Sequence, residues 1–134
     1  MKKLLLLSIS LLTLSFVSNS FAHDLKGAIA SEDRTPKNVV RDIYRNPYET
    51  LDFFGIKQNM TVVELSPGGG WYTEILANYI HYPGTLIAAH FNPDAGGYYK
   101  RGRANFEKKM NSNPMYGRVE IVNIDSTLAE PNSV

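Results

Sequence analysis

Residues 61–70 read TVVELSPGGG. The first half of this stretch is a short run rich in β-branched side chains, which predicts a buried strand. The second half is a glycine-rich turn, and Trp71, Ile75 and Tyr79 follow it at four-residue intervals, as on one face of a helix. Glycines at such a junction let the backbone approach a ligand closely, and the helix N-terminus presents free N–H groups to an anionic group. The stretch therefore predicts a nucleotide-like ligand.

Two more apolar runs follow, residues 85–89 and residues 119–124, and each has the length of a strand. Between them, residues 99–110 are predicted to form a helix with Phe106 and Met110 on one face. Strands that alternate with helices favour an α/β fold with a parallel sheet. Upstream, short helices are predicted after Pro36 and over residues 47–54, the second with Leu51 and Phe54 facing inward.

The N-terminus has the features of a secretory signal peptide. Two lysines are followed by an apolar run over residues 4–17 and by small residues at an A-x-A-like cleavage site. The run is shorter than the roughly 20 residues that span a bilayer, so no stable membrane anchor is expected. We assign residues 1–22 to a signal peptide, residues 23–36 to a disordered lead-in and residues 37–134 to one domain. The protein is expected to be exported, to the periplasm or outside the cell.

Composition excludes several classes of site and partner. The chain has 14 basic and 13 acidic side chains and no cysteine. This balance gives no electrostatic footprint for nucleic acid, and the absence of cysteine excludes disulfides and thiolate metal sites. The three histidines lack the spacing of a metal site, so no metal is predicted. The basic side chains of residues 100–109 favour a solvated helix face over contact with an anionic substrate.

The glycine turn discriminates between two cofactor classes. A dinucleotide fingerprint needs a third glycine, but Thr73 occupies that position. Glu64, Gly68 and Gly70 instead resemble the first motif of class I S-adenosylmethionine-dependent methyltransferases, in which an acidic residue precedes alternating glycines. Together with residues 41–45 and 71–76, the stretch resembles a group of exported bacterial predicted methyltransferases.

This resemblance implies a Rossmann-like parallel sheet of the methyltransferase type, of which the chain would form the N-terminal half. It implies S-adenosylmethionine as the cofactor, with Glu64 near its amino-acid end and Asp125 near its adenine. His90 stands where these enzymes usually place a carboxylate for the ribose hydroxyls. The candidate cofactor-binding residues are Glu64, Pro67, Gly68, Gly69, Gly70, His90 and Asp125.

Each candidate also has a structural interpretation. Glu64 can cap backbone N–H groups, Asp125 can begin a turn, and for His90 a structural role is favoured over ligand binding. Trp71 falls on the apolar helix stripe, so core packing is favoured for it.

Three functions remain open at this point. The first is a methyltransferase that is active only at full length, because a complete fold has further strands that supply substrate-positioning groups. The second is a non-catalytic, exported ligand-binding or interaction module, and the third is half of a nicotinamide-linked oxidoreductase. The residues specify neither a catalytic group nor the methyl acceptor. An incomplete sheet edge predicts association with a partner.

Overall fold

The computed structural model describes residues 24–124. The predicted signal peptide and Asp125 lie outside these residues. No helix within them has the length and hydropathy of a membrane span. The elements in chain order are α1 (Leu25–Ile29), α2 (Pro36–Val39), α3 (Asp42–Arg45), α4 (Pro47–Phe53), β1 (Thr61–Leu65), α5 (Trp71–Tyr79), β2 (Thr85–His90), α6 (Gly97–Met110) and β3 (Glu120–Asn123).

The three strands form one parallel sheet in the order β1-β2-β3. In register, Val63 lies beside Ile87 and Leu65 beside Ala89. The predicted α/β class and parallel sheet are confirmed. Three adjacent parallel strands in this order, linked by helical crossovers, are compatible with a Rossmann-like fold.

The core lies on one face of the sheet. Ile75 of α5 and Phe106 of α6 are almost completely buried, together with Leu86 and Ala88 of β2. On the opposite face of β1, Val63 and Leu65 are 43% and 59% exposed. Strand β1 is therefore covered on one face and exposed on the other, so the expectation of a buried strand is wrong for the exposed face.

The expectation of a disordered lead-in over residues 23–36 is wrong for residues 24–36. Asp24 caps α1 by accepting a hydrogen bond from the Gly27 N–H (2.6 Å), and Leu25 and Ala28 are buried in the core. These two residues are three positions apart and share one helix face. A single apolar pair in a polar segment is too little to predict a helix from the sequence. Arg34 is also buried, at 3% exposure.

The other predicted helices are confirmed with small corrections. Helix α6 begins two residues earlier than predicted, and Phe106 and Met110 are buried as expected. Leu51 is buried in α4, but Phe54 is 67% exposed, so its predicted inward orientation is wrong. Phe54 follows the last residue of α4, immediately before a turn at Gly55, and is therefore outside the helical stripe. Trp71 packs in the core as predicted.

Candidate functional site

The turn between β1 and α5 has left-handed backbone at alternate residues. The φ angles are +53° at Ser66, +57° at Gly68 and +79° at Gly70. The turn is fixed by hydrogen bonds from the Ser66 N–H to the Ala89 carbonyl and from the Gly70 N–H to the Pro67 carbonyl, both 2.9 Å. This alternation explains the spacing of the glycines, because a left-handed φ carries little penalty only in glycine.

The three glycines of this loop differ in what they require. A Cβ at Gly70 would lie 3.2 Å from a ring carbon of Phe106, so α6 and the backbone both demand glycine there. Gly69 has an ordinary φ and nothing within 4 Å of such a Cβ. Within residues 24–124, the N–H groups of Gly68 and Gly69 have no hydrogen-bond acceptor. These two exposed residues therefore present free donors at the carboxyl edge of the sheet.

Glu64 lies on β1 beneath this loop. Its carboxyl group accepts a hydrogen bond from the Thr73 hydroxyl (2.6 Å). Burial raises the pKa of Glu64 to about 7, although hydrogen bonding to Thr73 and the charge of Lys109 act in the opposite direction. The Glu64 carboxyl therefore changes charge near neutral pH. Thr73 supplies this hydroxyl from the position where a dinucleotide fingerprint has glycine.

His90 ends β2 and is only 1% exposed. Its Nδ1 accepts a hydrogen bond from the Phe91 N–H (2.8 Å), so the proton of the neutral ring is on Nε2, which donates to the Gly68 carbonyl (3.2 Å). Burial lowers the pKa of His90, which favours this neutral form. Both ring nitrogens are therefore used to hold the glycine loop against β2. This arrangement favours the structural interpretation of His90 over contact with ribose hydroxyls.

A buried cluster of charged side chains contacts the glycine loop through Lys109 of α6. Glu74 of α5 is fully buried, accepts a hydrogen bond from the Thr35 hydroxyl (2.5 Å) and forms an ion pair with Lys109. Lys109 also donates to the Gly69 carbonyl (2.9 Å). The guanidinium of Arg34 lies 4.0 Å from the Glu74 carboxylate. The cluster joins residues 34–35, α5 and α6 to the loop, and no local sequence pattern indicated it.

Two cavities lie at opposite ends of the sheet. One, of about 400 Å³, adjoins the amino ends of β2 and β3. The other, of about 540 Å³, lies between the glycine loop and α6 at the carboxyl end of β2. Ligands of open parallel sheets bind outside the carboxyl ends of the strands, so the second is the candidate site. Its lining is Thr35, Lys37, Gly68, Gly69, His90, Phe91, Tyr98, Gly102, Asn105, Phe106, Lys108, Lys109 and Ser112.

The structure brings four of the seven predicted site residues together in the loop and places Glu64 and His90, at the ends of β1 and β2, against it. Asp125 lies outside the described residues. Within residues 24–124, no group of three His, Cys, Asp or Glu side chains is placed to hold a metal ion. Sequence reasoning missed Thr35 and Lys37, because they belong to the segment taken as a lead-in and its edge. For Lys108 and Lys109 it favoured a solvated helix face over contact with an anionic substrate.

The left-handed φ of Ser66 predicts a stabilising substitution. Replacing Ser66 with glycine is expected to raise the free energy of unfolding by about 0.5 to 1 kcal/mol, because the steric penalty of a Cβ in this conformation is removed. Urea denaturation measures the change. Ser66→Ala is the matched control, since it removes the hydroxyl and keeps the Cβ. An equal gain in both variants would show that backbone strain at residue 66 is not the cause.

Comparison of the chain with protein-family models, with curated proteins and with solved structures found no match. No family is therefore assigned. The residues of the loop and the cavity carry the functional inference.

Proposed function

We propose that this protein is methyltransferase-like and binds S-adenosylmethionine at the glycine loop. The observation that supports the proposal most directly is the alternation of left-handed residues at positions 66, 68 and 70, after a strand that carries an acidic side chain. The alternation includes Gly68 and Gly70, which with Glu64 are the residues that resemble the methyltransferase motif. Ser66 extends it by one position toward β1, with a φ of +53°.

Charge is the second support. S-adenosylmethionine carries a sulfonium cation and an ammonium group at its amino-acid end, and a nearby carboxylate stabilises such charges. Glu64 supplies that carboxylate, and with a pKa of about 7 its ionised form is present at neutral pH. Methyl transfer from a sulfonium depends chiefly on the alignment of donor and acceptor. In this proposal the described residues bind and orient the cofactor, and none of them is assigned as catalytic.

A second candidate is an exported ligand-binding module without methyl transfer. The observation that favours it is His90, which replaces the expected carboxylate and has both ring nitrogens engaged with the backbone. Transfer of a labelled methyl group from S-adenosylmethionine to a periplasmic extract would support the enzyme. Binding of S-adenosylmethionine without any transfer would support the module.

Affinity for S-adenosylmethionine is expected to rise with pH through the titration of Glu64. At pH 6 a carboxyl with a pKa of about 7 is mostly neutral, and at pH 8 it is mostly ionised and attracts the cationic cofactor. We expect binding to tighten about three- to tenfold between these pH values. Isothermal calorimetry at both values measures it, and Glu64→Gln, which keeps acceptors for Thr73, is expected to lose this gain.

Steric and cofactor controls complete the experiment. Gly69→Leu places a side chain into open space on the loop, so it is expected to leave folding intact and to block S-adenosylmethionine, whereas Gly69→Ala is expected to weaken binding much less. NAD is expected to give no heat of binding, because the third glycine of its fingerprint is absent. Binding of NAD in preference to S-adenosylmethionine, or of neither, would contradict the proposal.

A further inference from the structure

The cavity beside the glycine loop is basic. Lys37, Lys108 and Lys109 line it, and none of the aspartates and glutamates of residues 24–124 does. The charge of Lys109 is balanced by Glu74. Within residues 24–124, Lys37 and Lys108 have no carboxylate within ion-pair distance. Two unbalanced positive charges therefore line one cavity, which favours an anionic ligand.

The glycine loop borders the same cavity. Gly68 and Gly69 are in its lining, and within residues 24–124 their N–H groups lack acceptors. Their carbonyl oxygens accept hydrogen bonds from His90 and Lys109, which also line the cavity. The lysines and the glycines belong to three separate segments, α2, the loop and α6, so the basic character of the cavity arises from the tertiary structure.

Part of the cavity lining is aromatic. Phe91 and Tyr98 line the cavity, and Tyr99 lies between them, with ring centroids 5.1 Å from Phe91 and 5.5 Å from Tyr98. Tyr98 is 72% exposed, which leaves most of its ring open to solvent. Aromatic side chains at the edge of a pocket provide stacking surfaces for planar rings.

We propose that this cavity is a binding site for a ligand that joins a phosphate group to a planar ring. The phosphate faces Lys37 and Lys108, and the ring packs on Phe91 and Tyr98. The volume of about 540 Å³ is within the range of small-molecule sites. Glu64 does not line this cavity. The site shares the glycine loop with the proposed S-adenosylmethionine contact, but its lysines and aromatic side chains do not require Glu64 to contact that cofactor.

Calorimetry with adenosine 5′-monophosphate, adenosine and inorganic phosphate tests the proposal. The monophosphate is expected to bind more tightly than either component, and its affinity is expected to fall as sodium chloride is added. The double variant Lys37→Gln and Lys108→Gln is expected to weaken the monophosphate about tenfold. Lys100→Gln is the matched control, because Lys100 is exposed on the same helix and lies outside the cavity lining.

Three results would overturn the proposal. Equal affinity for adenosine and its monophosphate would show that the cavity has no phosphate site. Equal affinity for inorganic phosphate and the monophosphate would show that it has no site for the ring. An equal loss in Lys100→Gln and the double variant would show general surface attraction. S-adenosylmethionine is titrated into the same variants, and its affinity is expected to be unchanged, so failure of the cofactor assignment is seen separately from failure of the phosphate site.

Discussion

Replacing Gly84 with alanine is expected to be the most destabilising of the substitutions considered for this protein. A Cβ at this position would lie 2.4 Å from the Gln58 carbonyl oxygen, 2.8 Å from the Met60 carbonyl oxygen and 3.0 Å from the Asn59 carbonyl carbon. All three are backbone atoms, so no side-chain rotation relieves the contact. The adjacent Thr85 N–H donates to the Met60 carbonyl (3.1 Å). Moving residues 58–60 away from residue 84 to make room for the Cβ would break this hydrogen bond.

The expected loss is about 3 kcal/mol or more in the free energy of unfolding, because overpacking against backbone is among the most destabilising substitutions. Urea denaturation followed by circular dichroism measures it. Gly69→Ala is the matched control, since that Cβ meets nothing within 4 Å and the φ angle is ordinary. It is expected to change stability by less than about 0.5 kcal/mol. A Gly84→Ala variant as stable as Gly69→Ala would show that residues 58–60 do not pack against β2 as described.

Replacing Arg34 with alanine is expected to be nearly as destabilising. The Arg34 side chain is completely buried and donates to both oxygens of Asp42 (2.6 and 2.8 Å) and to the Ile29 carbonyl (2.6 Å). It also lies 4.0 Å from the fully buried Glu74 carboxylate. Its removal leaves the carboxylates of Asp42 and Glu74 with less compensating positive charge. It also breaks the contacts that connect α1, α3 and α5. Breaking a buried ion pair from one side costs about 3 to 5 kcal/mol.

The matched control for this substitution is Arg41→Ala. Arg41 lies immediately before α3, is exposed, and its side chain has no hydrogen bond or ion pair within the described residues. We expect its loss to change the free energy of unfolding by less than about 0.5 kcal/mol in the same urea titration. If Arg34→Ala and Arg41→Ala were equally mild, the segment from α1 to α3 would not be an integral part of the folded domain.

The strand, loop and helix from residue 61 to residue 80 are determined by local sequence. A β-branched run, a glycine turn and an apolar stripe at helical spacing each act over a few residues, so their meaning does not depend on distant partners. The same is true of β2, of β3 and of the buried face of α6. The parallel α/β class follows from this order of elements. The glycine positions of the turn were also predicted, because only certain residues accept left-handed backbone.

The chemistry around that turn is decided by tertiary structure. Whether His90 binds a ligand or holds the loop depends on the Gly68 carbonyl, 22 positions away, and the ion pair and hydrogen bonds of Lys109 and Glu74 join segments about 40 positions apart. The raised pKa of Glu64 depends on burial, and the basic cavity on lysines from α2 and α6. Sequence specifies which groups are present, whereas distance, burial and the sharing of protons among them arise only when the helices pack on the sheet.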